Sequence, residues 1–221
     1  GAGPLPVADY RVANTVADGI AAGRACYSFC MCPGGQIVPT STVEDELCIN
    51  GMSFSKRASK WANSGLVSAI TERDAAPFAD EGYEPLCGVA FQRHIEREAA
   101  IMGGGKLVVP VQTAEDFLRE TVSNASTLPS SSYRLGVTPG PLHALYPREV
   151  TTAIQESLAR FDKQLPGFAG SRALIHAPEA RTSSPVRIDR HKETLASVSC
   201  RALYPAGEGA GYAGGIVSAA V

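Results

Sequence analysis

The sequence has 221 residues, a mass of 23.1 kDa, 44% hydrophobic residues and a mean hydropathy of -0.02, enough to bury a core and inconsistent with a disordered chain. A formal net charge of -2 lacks the basic excess of a nucleic-acid surface, and no apolar run approaches the roughly 18 residues of a membrane helix. Six cysteines without a secretory signal imply free thiols in a reducing compartment.

Residues 1–25 are mixed and mostly irregular. Strand signals begin at Cys26, with Gly34-Gly35 before Gln36-Ile37-Val38, and Asn50-Gly51 between Leu47-Cys48-Ile49 and Met52-Ser53-Phe54. Asn-Gly in that setting predicts a tight hairpin turn. A polar stretch at 55–63 precedes a strand at 66–70. Phe91, Ile95, Ala99 and Met102 recur at helical spacing, with Arg93, Glu96 and Arg97 on the opposite, polar face. Gly103-Gly104-Gly105 stops that helix, and a strand resumes at 107–111. Thr113-Ala114-Glu115-Asp116 has the form of a capping box opening a short helix. The Ser/Thr/Pro-rich stretch 123–132 reads as an exposed loop. The clearest helix runs from Pro147 to about Lys163, with Val150, Ile154, Leu158 and Phe161 as its apolar stripe. Strands are expected at 173–176, 185–188 and 202–206. Strands and helices alternate irregularly without an internal repeat, so the fold class is α+β.

The sequence opens on Gly1 without an initiator methionine and closes on Ile216-Val217-Ser218-Ala219-Ala220-Val221, which reads as the first turns of a buried helix lacking a C-cap. It therefore reads as a fragment. Just before that helix, Gly209, Gly211 and Gly214 satisfy the G-x-G-x-x-G spacing. Glycines there let the backbone approach a phosphate or a ring, and the helix N-terminus offers free N–H groups. An opening dinucleotide-binding unit needs a second strand and an acidic residue about 20 positions on, and the sequence ends first. The segment fits instead a strand–loop–helix that closes such a domain, or a glycine-rich turn that only packs a helix on a sheet.

Cys26, Cys30 and Cys32 crowd together in the sequence, but Cys48, Cys87 and Cys200 stand singly and His94, His143, His176 and His191 form no H-x3-H pair. No metal site is expected from that spacing. A redox thiol or a buried structural cysteine are the readings left open. Arg181-Thr182-Ser183-Ser184-Pro185-Val186-Arg187 could hold an anionic group or form a solvated strand end, and Lys56, Arg57 and Lys60 before Trp61 divide the same way. Gly103-Gly104-Gly105-Lys106 is not a P-loop, because Leu107 stands where Ser or Thr should hold magnesium.

Six segments resemble a single family: Asp9-Tyr10-Arg11, Tyr27–Gly35, Asn50-Gly51-Met52-Ser53, Gly88–Arg93, Arg181–Ile188 and Tyr204–Gly215. The chain is similar to the C-terminal part of the uncharacterised FAD-dependent dehydrogenases, NAD(P)/FAD-dependent oxidoreductases with two dinucleotide-binding domains. Ser53–Arg57 and Ser59–Ser64 look closer to plastid forms, which implies the plastid stroma, with the cytoplasm as the alternative. The resemblance implies a connecting segment at 1–25 from an FAD-binding half not present here, an inserted α+β substrate or cap domain at 26–190, and the closing strand and helix start of a Rossmann-like FAD-binding domain at 191–221. It implies FAD as cofactor, held by Gly207, Glu208, Gly209, Gly211, Gly214, Gly215 and Ile216, with Glu208 near the ribityl or pyrophosphate and the last three facing the flavin ring. By analogy, Cys30, Cys32, Asn63 and Arg181 border the space above the ring, and NAD(P)H is the implied electron donor. The expected activity is flavin redox chemistry on an unknown substrate. A flavin-retaining scaffold or regulatory protein is the alternative.

Overall fold

A computed structural model describes residues 12–80, 83–212 and 217. In chain order the elements are β1 (Val12–Thr15), β2 (Ala25–Pro33), β3 (Gln36–Pro39), β4 (Ile49–Met52), β5 (Ala62–Ser68), α1 (Glu72–Ala75), α2 (Cys87–Gly103), β6 (Val109–Thr113), α3 (Ala114–Leu118), β7 (Val137–Pro139), α4 (Arg148–Gln164) and β8 (Leu174–His176). The fold is α+β. The chain divides into two compact units, residues 1–71 with 95–180 and residues 72–94 with 181–221.

The first unit holds three small sheets. Antiparallel β1-β2-β5 is centred on β2, β3 and β4 form a two-stranded ribbon, and β6 lies between parallel β7 and antiparallel β8. Helix α4 packs on β1, β2 and β5 and on α3. Its stripe is as the periodicity predicts, with Val150, Ile154, Leu158 and Phe161 buried and Pro147 at the N-cap, where its missing N–H costs nothing. Thr113 caps α3 by accepting from the Asp116 amide. Phe117, Phe161, Leu47, Leu142 and Leu158 are the largest fully buried side chains of this core.

Several expectations are overturned. Asn50-Gly51 is not a turn: both residues lie inside β4, opposite Val38 and Ile37 of β3. The glycine answers a close approach instead, since a Cβ on Gly51 would stand 2.1 Å from Asn63 Oδ1. Helix α2 does carry Arg93, Glu96 and Arg97 opposite its apolar stripe, and that face makes contacts of its own. Glu96 is buried where the 46–48 segment packs, its carbonyl accepts from the Leu47 amide, and Arg97 pairs at 2.9 Å with buried Glu46. The 123–132 stretch contains one 3-10 turn, Ala125–Thr127, but its ends turn inward and bury Ser123 and Ser132.

In the second unit, neither 185–188 nor 202–206 is a strand. Pro185 has no N–H to give a ladder, and the Ser184 hydroxyl takes up local backbone groups, donating to the Val186 carbonyl at 2.8 Å. Ala202 adopts φ 63° and Pro205 again lacks a donor. Residues 207–210 form a 3-10 turn ending at Gly211 with φ 86°, a conformation glycine adopts without steric cost. Among the described residues no helix is long and apolar enough to cross a membrane.

Candidate functional site

Strand β2 carries a register shift between Phe29 and Cys32, and Cys30 sits there at φ 56°. Such a bulge re-aims the strand. It leaves Cys30 exposed, with Cys32 Sγ 3.5 Å from its carbonyl oxygen, and pairs Cys32 with Asn63 of β5. Three of the four residues inferred by analogy, Cys30, Cys32 and Asn63, therefore fall in one region. Arg181 belongs to the second unit. All six cysteines are free thiols, and among the described residues no group of three or more His, Cys, Asp or Glu side chains converges as a metal site.

Asn63 lines a chamber of about 530 Å³ in the first unit. Its apolar wall comes from Phe117 of α3, Leu142, and Ile154 and Leu158 of α4, and its polar wall from Asn63 and Ser64 of β5, Ser131, His176 of β8 and Glu179. The strands meeting here explain the polar wall. Alternation along β5 and β8 turns some side chains inward whatever their polarity, and each then needs a partner.

His176 has one. Its Nδ1 lies 3.1 Å from the Leu174 carbonyl oxygen, which can only accept, so Nδ1 carries the proton and Nε2 accepts from the Ser131 hydroxyl at 2.7 Å. The Ser131 oxygen accepts in turn from the Tyr133 amide at 3.0 Å. Burial drives the His176 pKa down to about 4, only partly opposed by the Leu174 hydrogen bond, so the ring is neutral at physiological pH. Burial also raises the Glu179 carboxyl, whose Oε2 lies over Gly65, 3.7 Å from where a Cβ there would stand. Tyr146 is pushed up, by burial first and by the electrostatic influence of Cys48 and Glu179 second, which keeps its phenol protonated. The interior of the chamber is hydrogen-bonding but carries little charge.

Trp61, Pro129, Ser130 and Arg172 line this chamber and also a groove of about 760 Å³. The Trp61 indole N–H donates to the Ser130 carbonyl at 3.1 Å, and Lys60 Nζ stands 4.7 Å above its ring. Arg119 of the groove pairs with Glu115 at 2.7 Å. Asp116 accepts from the hydroxyls of Ser123 at 2.6 Å and Thr113 at 2.7 Å, and these, Ser123 foremost, hold its carboxyl below the usual range.

In the second unit the glycine segment is held to the 181–190 loop. Glu208 Oε1 accepts from the Ser184 amide, the Ile188 amide donates to Gly209 O at 2.8 Å, and Arg190 stacks over Tyr212 at 4.8 Å. A Cβ on Gly209 would meet nothing within 4 Å, so the backbone there is open to approach, beside the exposed Glu208 carboxylate. Open backbone beside an acidic acceptor is a donor and acceptor set that fits one wall of a flavin site. Gly214, Gly215 and Ile216 lie outside the described residues.

Sequence reasoning missed Ser131, His176, Glu179, Tyr146 and Arg172. Periodicity marks burial but not which loop folds inward. The one usable signal was His176, a titratable residue ending a short apolar strand.

Comparison with known proteins adds the family. Residues 1–182 match the model described as FAD-dependent protein, C-terminal domain-like. A curated protein of Clostridium beijerinckii (strain ATCC 51743 / NCIMB 8052), named only as an uncharacterized protein, is 42% identical over 198 residues, covering 90% of this chain and 36% of its own length. The chain thus spans about a third of that relative.

Proposed function

The chain belongs to the family of FAD-dependent protein C-terminal domains, and from that premise we propose that it is the substrate-side part of an FAD-dependent oxidoreductase. FAD, when bound, supplies the electron transfer, and the protein supplies binding, orientation and electrostatics. The observation that carries this reading is the chamber, which has the size and the mixed apolar and polar lining of a small-molecule site. Asn63, Ser131 and Glu179 offer hydrogen bonds to a substrate there, and the aliphatic and aromatic wall excludes water from its apolar part. His176 fixes the Ser131 hydroxyl by accepting its hydrogen bond at Nε2.

On the cofactor side, Glu208 accepts from ribityl hydroxyls and the backbone around Gly209 faces the dinucleotide, joined by Gly207, Gly211, Gly214, Gly215 and Ile216. The proposal includes Cys30, Cys32 and Arg181 as bordering the flavin ring. It takes 26–190 as an inserted substrate domain, 191–221 as the closing segment of the FAD-binding domain, and a nicotinamide nucleotide as electron donor. Placement in the plastid stroma rests on the resemblance of Ser53–Arg57 and Ser59–Ser64 alone, and an organelle-import assay of the full-length protein tests it.

Anaerobic addition of NADH or NADPH to the full-length protein tests the function. Bleaching of the flavin's visible band supports an oxidoreductase. Bound flavin that neither nucleotide reduces supports the scaffold reading, and absence of bound FAD removes both.

A further inference from the structure

The chamber and the groove share Trp61, Pro129, Ser130 and Arg172, so the groove adjoins the chamber at what would be its mouth, and the two differ in charge. The groove carries three cations, Lys60, Arg119 and Arg172, and two acids, Glu115 and Asp116. Glu115 is offset by Arg119, and Asp116 keeps its charge within a ring of hydroxyls, which leaves the groove with one net positive charge. Lys60 and Arg172 are left as the positive pole of the mouth. Both are exposed, and Lys60 is steadied over the Trp61 ring.

Apart from Arg172, which it shares with the groove, the chamber lining holds no cationic side chain to neutralise an anion. An anion would meet the Glu179 carboxyl and a neutral imidazole, and a cation would lose its water for a carboxyl that burial holds toward its neutral form. Phe117, Phe168, Leu142 and Leu158 instead receive apolar surface, at about 25 cal/mol per Å² removed from water.

We propose that the chamber and its mouth together bind one amphipathic monoanion, an uncharged apolar body inside the chamber with its carboxylate at Lys60 and Arg172. The inference rests on the substrate-site reading above and names the substrate class for it. The anion sets entry and orientation, because exposed cations act mainly on encounter and register. The apolar body supplies the affinity.

Sodium octanoate, octanamide and sodium acetate, titrated into the full chain, test this without flavin. Emission of Trp61, the sole tryptophan of the sequence, and calorimetry are the readouts. Octanoate is expected to shift the emission and to bind about tenfold more tightly than octanamide at low salt. That preference should shrink as ionic strength rises, and it should vanish in the Lys60→Gln/Arg172→Gln double variant while octanamide binding persists. Acetate should neither shift the emission nor compete. Equal binding of octanoate and octanamide, effective competition by acetate, or an acid preference that survives the double variant would each overturn the proposal. Since none of these readouts involves a flavin, failure of flavin reduction in the intact protein leaves the result standing, and failure here leaves the redox test standing.

Discussion

The two compact units are stabilised by different means. The first buries Phe117, Phe161, Leu47, Leu142 and Leu158 completely between sheets and α4. In the second, the buried hydrophobic residues among those described are Ala75, Phe91 and Ala210, and its 181–212 stretch is tied by backbone and side-chain hydrogen bonds and by Arg190 over the Tyr212 ring. Burial is non-directional and scales with area, whereas each polar tie is worth only about 0.5–1.5 kcal/mol. Substitutions in the first unit should therefore cost stability, and those in the second should cost local geometry and ligand retention.

The largest expected effect is in the first core. Phe161→Ala removes a ring with 0% exposure that packs edge-to-face on Phe168, and should cost about 3–5 kcal/mol in chemical denaturation. A loss below about 1 kcal/mol would mean that the helix–sheet core is not what holds this unit.

Acid comes next. Unfolded histidine binds its proton below about 6.5, while folded His176 resists protonation until about 4. The unfolded state thus takes up the proton first, and stability should fall by roughly 3 kcal/mol as pH drops from 6.5 to 4. His176→Gln should flatten that slope. Asp116, its pKa lowered, adds stability above its ordinary value of 3.8 that is lost as pH falls below it. Glu179, its pKa raised, acts oppositely and costs stability as pH rises through its folded pKa.

Gly51→Ala should be felt at the chamber itself. The new Cβ would stand 2.1 Å from Asn63 Oδ1, so the amide must move, at about 1–3 kcal/mol. A crystal structure of the variant with Asn63 unmoved would contradict the close-approach account of this glycine.

The smallest stability effect is expected at Glu208. Glu208→Gln keeps the side chain's shape but weakens the tie to the Ser184 amide, and should lower stability by less than about 1 kcal/mol. In the intact protein it should nonetheless weaken FAD retention severalfold after dialysis, and unchanged occupancy would remove Glu208 from the cofactor site.

How much was legible in the sequence follows the same division. The helices at 87–103 and 148–164 and the strand at 174–176 could be read because burial imposes a period, and the Thr113 cap because its chemistry is local. The strands expected at 185–188 and 202–206 failed where Pro185, Pro205 and hydroxyl-to-backbone bonds outweigh β propensity. Asn50-Gly51 failed because a tertiary neighbour, Asn63, decided the glycine. Of the chamber lining, Asn63 was reached through family resemblance, but Ser131, His176 and Glu179 meet only through long-range packing that no local pattern encodes.

The most direct measurement is anaerobic reduction of the full-length flavoprotein with NADPH and NADH, followed at the flavin's visible band. The account predicts stoichiometric bound FAD that bleaches with at least one nucleotide and recovers when an oxidised acceptor is added. A purified, folded protein that holds no FAD, or holds FAD that neither nucleotide reduces, would contradict it.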